Sequence, residues 1–192
     1  WETNFVPDVR TAVLDDLFQK VEGGQVTNFR MASWTTVHAS EWPAGKYHKA
    51  HYHGPGAVIL GLSGEGYALV WPRQCGIHPF QDGFGDKVLR VEWKRNGIYS
   101  PLNEWFHQHF NTGKDPSRQL RVTGGGTRFG GPLFEEGITQ PQMISVREGG
   151  SLINYEDEDP EIRRMFQKAL REKGVKSTMS PVTYRTDPFR FD

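Results

Sequence analysis

The sequence predicts an all-β fold, a sandwich or barrel assembled from many brief strands. Its 22 glycines and 12 prolines cut the apolar residues of a 192-residue chain into short runs, because neither residue sits well inside a long helix or a central strand. Several of those runs alternate. In KVLRVEW (87–93), Val88, Arg90 and Glu92 share one face, while Lys87, Leu89, Val91 and Trp93 share the other, the period-two pattern of a strand with one dry side. One stretch near the C-terminus carries a clear helical period instead.

The elements follow in order. The opening TNFVPDVRTAVLDDLFQ reads as an extended arm with a short helix from about Thr11. Strands are expected over 25–31, 36–42, 48–53, 57–62, 67–71, 87–93, 97–100, 105–111 and 118–123, each bounded by turn formers and most of them rich in β-branched or aromatic residues. Residues 73–86, RQCGIHPFQDGFGD, hold too many turn formers for a strand and are expected to form a long insertion at the rim of a pocket. The glycine-rich 123–137 is expected to be a mobile segment or an extended strap. No convincing helix follows its triple glycine, so a phosphate-cradling loop is not indicated.

In EDEDPEIRRMFQKALREKG, Asp159 is placed to cap a helix, Pro160 takes its first position and Gly174 stops it. Ile162, Met165, Phe166, Ala169 and Leu170 make one apolar stripe that must be buried. The tail, SPVTYRTDPFRFD, brings aromatics that can dock. The chain thus divides into an N-terminal arm (1–24), a barrel (25–147) and a C-terminal helix with a tail (148–192).

Composition excludes several classes. With 23 basic and 23 acidic residues, nothing marks a nucleic-acid footprint or a patch for acidic membranes. A single cysteine, Cys75, rules out an internal disulfide framework and any multi-cysteine metal site. That usage fits a cytoplasmic protein. Neither a leader peptide nor an apolar run long enough to span a membrane is visible.

The histidines carry the chemistry. GKYHKAHYH holds His48, His51 and His53, and WFHQHFN holds His107 and His109, so five of the seven histidines lie in two clusters. On a strand, His51 and His53 point to one face about 7 Å apart, whereas His48 has the other parity and should point away. A catalytic transition-metal site usually takes three protein ligands, and His107 or His109 supplies the third if the strands meet. Imidazoles converging without an ion would leave polar nitrogens unsatisfied, at about 1–3 kcal/mol each.

At this point the chain resembles the cupin family. Gly45, His51 and His53, closed by Gly66 in GEGY, are similar to the first cupin motif, and Gly97, Pro101, His107 and Asn111 to the second. The resemblance implies a double-stranded β-helix, the jelly-roll barrel, with a metal inside one mouth and frequently a homodimer. The chain departs from it in two places. The glutamate that most metal-binding cupins carry after His-x-His is missing from HYHGPGAVIL, and the proline-x-glycine of the second motif is blurred to PLNEW. His51, His53 and His107 would then form a neutral three-histidine face, as in the iron sites of thiol and diketone dioxygenases within the cupins. His109, Gln108 and Glu104 are candidates for a fourth ligand or a supporting contact, His48 is a further histidine of the cluster, and Asn111 is expected to tie down a neighbouring loop. His38 and His78 stand alone and read as structural or exposed, with His78 able to reach the pocket from the insertion.

Tyr67, Tyr99 and Glu104 are the acid–base candidates, since a phenol or carboxyl near a divalent ion can move a substrate proton. An inward-facing Arg90 or Arg121 can pair with a substrate carboxylate. The leading expectation is an Fe(II) dioxygenase acting on a small aromatic or diketone-like molecule bound directly to the metal. Three imidazoles also accept Mn, Ni, Cu, Co or Zn. The alternatives are a redox-neutral isomerase or lyase and a non-catalytic small-molecule-binding cupin.

Overall fold

A computed structural model of the chain describes residues 5–16, 20–31, 35–54, 56–123, 141–189 and 191. Among these residues, nine strands and one α-helix run in the order β1 (Asp15–Asp16), β2 (Gln25–Met31), β3 (Thr35–Trp42), β4 (Val58–Ser63), β5 (Glu65–Trp71), β6 (Leu89–Lys94), β7 (Ile98–Tyr99), β8 (Phe106–Asn111), β9 (Ser117–Thr123) and α1 (Pro160–Lys173). Sheet order is β1-β2-β3-β9-β4-β7 in the larger sheet and β6-β5-β8 in the smaller, with every pairing antiparallel. This is the expected all-β arrangement, two antiparallel sheets with a C-terminal helix.

Register decides what each face carries. Across β3 and β9, His38 pairs with Arg121, Ser40 with Gln119 and Trp42 with Ser117; across β5 and β8, Gly66 pairs with Asn111, Ala68 with His109 and Val70 with His107. These faces look at each other. Their dry half is the buried cluster of Trp42, Ile59, Ala68, Val70, Trp93 and Tyr99. On the outer side of the larger sheet, the N-terminal arm packs Leu14 against Phe29 and Ala39.

The outer side of the smaller sheet belongs to α1. Ile162, Phe166, Ala169 and Leu170 are buried there against Tyr47, Tyr67, Leu69, Phe106 and Phe110, each large side chain contributing about 1.5–3 kcal/mol by leaving water. Both predicted caps are in place. Asp159 Oδ1 accepts from the Glu161 N–H at 3.0 Å and Gly174 closes the helix in the left-handed region. The other Asp159 oxygen accepts from Phe80 and Gln81 at 2.8 and 2.9 Å, so the helix cap also pins the 73–86 insertion.

Two motif glycines have a steric reason. Gly45 has φ +71° and a Cβ there would collide with the Lys176 carbonyl, while one on Gly66 would collide with that of Phe110.

Two expectations need correction. The helix expected from Thr11 is a single turn, in which Thr11 and Ala12 N–H both donate to the Asp8 carbonyl, followed by β1; packing of Leu14 against the sheet overrides local helix propensity. The strand expected at 48–53 is a bulged segment held by isolated bridges, Tyr47 with Phe110 and His51 with His107. An unbroken ladder from Tyr47–Phe110 would set residue 50 opposite His107, so one extra residue is accommodated. Residues 151–153 line the other side of this segment, with Tyr52 N–H donating to Ser151 and Ile153 N–H to Ala50. Most of the glycine-rich 123–137 lies outside the described residues. Among the described residues, no helix is long and apolar enough to cross a membrane.

Candidate metal centre

The bulge shapes the centre. His48 N–H donates to the His109 carbonyl and His51 N–H to that of His107, so His48 and His51 both turn inward although their spacing is odd. The expectation that His48 points away is therefore corrected. The extra residue inserted between them reverses the parity.

His51, His53 and His107 each offer a ring nitrogen, and the three nitrogens lie within 4.8 Å of one another. Ring centroids are 4.4 Å apart for His51–His107, 4.8 Å for His53–His107 and 5.7 Å for His51–His53. Two of the rings are fixed by the same device. His51 Nδ1–H donates to the Lys49 carbonyl at 3.2 Å and His107 Nδ1–H to that of Trp105 at 3.0 Å. A carbonyl only accepts, so each ring carries its proton on Nδ1 and its lone pair on Nε2, the tautomer a metal ligand needs. Burial first, then nearby Lys20 for His51 and His53 for His107, hold both rings well below the usual histidine range and neutral. The donor set fits a divalent transition ion.

Beneath the triad lies a second polar layer. His109 faces inward, its Nδ1 2.8 Å from the Tyr99 hydroxyl, which donates to Gln119 Oε1 at 3.1 Å. His48 meets Trp42 edge-on at 4.4 Å and His109 at 5.7 Å. Burial, followed by Arg121, drives His109 down to about 3.

Two basic side chains enter the same space. Lys20 Nζ is 3.0 Å from His51 Nε2, and burial, reinforced by Arg121, pushes its ammonium well below the usual lysine range. Arg121 Nη2 is 3.1 Å from His53 Nδ1 and also touches Nε2; burial brings its guanidinium to about 10, still charged at neutral pH. Among the described residues, the charged groups acting most on His38, His48, His51, His107 and His109 are basic side chains and the other histidines.

The other candidates divide by face. Tyr99 belongs to the interior; Tyr67 points outward, stacked on Phe110 at 4.4 Å with the Arg90 guanidinium 3.8 Å from its ring. Glu104 is an exposed rim residue with φ +61°, 3.6 Å from Arg73, and its backbone N–H donates to the His53 carbonyl. Gln108 also points outward, donating to Glu158 at 3.1 Å. Asn111 behaves as expected, its amide donating to the Pro43 and Asp115 carbonyls and its oxygen accepting from Gly113. His38 lies on the inner face of β3 opposite Arg121, and His78 stays within the insertion. Sequence reasoning missed Lys20, a lone lysine in the arm with no pattern around it.

No family model matches the sequence, and no curated protein matches it. Solved structures similar to this chain include an oxalate decarboxylase from Bacillus subtilis, 14% identical over 55% of this chain with a TM-score of 0.45. The chain spans only 27% of that protein's length. A formate complex of oxalate decarboxylase from Lactobacillus farciminis is 15% identical with a TM-score of 0.44, covering 54% of this chain and 29% of that one. The cupin domain of Schizosaccharomyces pombe Cnp3 is 13% identical, covering 62% of this chain and 73% of that one, with a TM-score of 0.44. Likeness at this level assigns no activity, and the chemistry is argued from this chain's own residues.

Proposed function

We propose that the chain is a metal-dependent enzyme whose centre is a divalent iron held by His51, His53 and His107, and that it oxidises a small molecule bound through oxygen atoms. The observation that carries this reading is the convergence of three imidazoles, two of them neutral and locked as Nδ1–H tautomers, with no carboxylate joining the cluster among the described residues. When bound, such an ion supplies Lewis acidity undiminished by an anionic ligand and a redox centre for dioxygen. The protein does the rest. The Lys49 and Trp105 carbonyls orient two ligands, and Ile59, Val70 and Trp93 line the dry half of the barrel and keep bulk water from the reacting centre. Tyr99 holds the His109 ring beneath the site. Arg121 and Lys20 donate to the ring nitrogens and are placed to turn toward substrate oxygens.

A second reading, a redox-neutral isomerase or lyase, draws on Lys20. Its amine, driven toward the neutral form by burial, is a base within reach of whatever sits at His51 Nε2.

Metal analysis of protein from unsupplemented medium tests the centre; stoichiometric iron supports the reading, and metal-free protein that takes up no added Fe(II) overturns it. Oxygen consumption during turnover of phenols, diketones and hydroxy acids supports the oxygenase. Turnover without oxygen uptake assigns the redox-neutral chemistry.

A further inference from the structure

Six buried hydrogen-bonding atoms of the barrel interior lack a partner among the described residues: Trp42 Nε1, Trp93 Nε1 and Ser117 Oγ, and, close to the histidines, His48 Nε2, Gln119 Nε2 and Arg121 Nε. His48 and Gln119 are only 5% and 3% exposed, so bulk solvent does not serve them. They belong to the inward-facing set of side chains. Gln119 and Arg121 stand two residues apart on the inner face of β9. Gln119 is tied through the Tyr99 hydroxyl to His109, whose ring is 5.7 Å from that of His48.

The chemistry of these atoms names what is missing. An amide N–H and a guanidinium N–H only donate, and an imidazole nitrogen can. An unpaired buried donor costs about 1–3 kcal/mol, and a buried charge without a counter-ion costs more. Water satisfies an N–H but does not neutralise a guanidinium. Tyr99 is the sole counter-group acting on Arg121 among the described residues, and burial keeps its phenol protonated. Arg121 Nε is one prong of a planar fork whose Nη2 lies against His53, and that edge matches the two oxygens of a carboxylate.

We infer that the barrel interior beside His51, His53 and His107 binds a carboxylate of the substrate, gripped by Arg121 with Gln119 and His48 donating alongside. The substrate is thus a small carboxylic acid, an inference that rests on the metal-centre reading for what is done to it. Lys20, 3.0 Å from His51 Nε2, adds a further donor at the same end.

Titration calorimetry tests this with malonate, its neutral analogue malonamide, and phosphate, on metal-free and Zn(II)-loaded protein. Malonate should bind at least about tenfold more tightly than malonamide, the discrimination expected of a charge-assisted hydrogen bond. Arg121→Leu should abolish that preference and Gln119→Leu should weaken malonate by about threefold to tenfold. If Arg121→Leu fails to fold, judged by circular dichroism, Gln119→Leu and His48→Phe decide alone. Equal binding of malonate and malonamide, or malonate affinity unchanged in the variants, overturns the inference; phosphate binding as tightly as malonate overturns the assignment to a carboxylate. Protein that takes up no metal yet shows Arg121-dependent malonate binding overturns the metal-centre reading and supports this one.

Discussion

On the outer face of β8, Gln108 donates to Glu158, which also accepts from the Tyr47 hydroxyl, and Arg163 Nε stands 3.3 Å from that hydroxyl. On the inner face of the same strand, one residue away on either side, His107 and His109 sit among Lys20, Arg121 and His48. Both faces bury polar groups, but among the described residues only the outer one brings acids and bases together. Asp157 beside Arg147 and Asp159 beneath two backbone N–H groups complete that set. Among the described residues, the inner face has donors, neutral imidazoles and a guanidinium but no carboxylate. A network in which the chain brings both signs of charge together serves to hold α1 in place; one in which the described residues supply donors and positive charge alone is shaped for an anion.

The largest effect expected from breaking this contrast is on the outer face. Phe166, fully buried against Tyr47 and Phe110, should lose about 3–5 kcal/mol of stability as Phe166→Ala, by cavity formation. Urea denaturation reads that loss, and Zn(II) stoichiometry in the folded variant should stay at the wild-type value. The inner face should answer oppositely. His107→Ala should weaken Zn(II) by more than the roughly 10–100-fold that loss of a mere outer partner costs, while the denaturation midpoint moves little; competition with a chromogenic chelator measures it.

Tyr99→Phe sharpens the contrast within the interior. It strands His109 Nδ1 and Gln119 Oε1 together, at about 1–3 kcal/mol, and equilibrium denaturation checks this.

Glu158 gives a pH signature. Burial raises its carboxyl to about 7 from an ordinary 4.5, against the pull of the Tyr47 and Gln108 hydrogen bonds. Between those values the folded chain keeps a proton that the unfolded chain releases. Its contribution is therefore fully present below the unfolded value and falls as pH rises toward about 7. Glu158→Gln, which cannot titrate, should flatten that slope in denaturation midpoints across the same window.

Much of this arrangement was legible in short stretches of chain. The helix with its Asp159 cap and Gly174 stop, most strands, the shared face of His51 and His53, and the loop-tying role of Asn111 all depend on residues a few positions apart. Tyr67 and Tyr99 show where that legibility ends. Each is a strand tyrosine flanking the histidines, and nothing local says that β5 turns the first toward α1 while β7 turns the second inward.

By itself, then, the sequence determined the strand and helix periods and the types of side chain able to ligate a metal, because backbone alternation is a nearest-neighbour property. The tertiary structure alone decided that one extra residue swings His48 inside, that Lys20 arrives from the arm and that Arg121 lies on His53. Register between distant strands sets those contacts, and a shift of one residue exchanges every inward side chain for its neighbour.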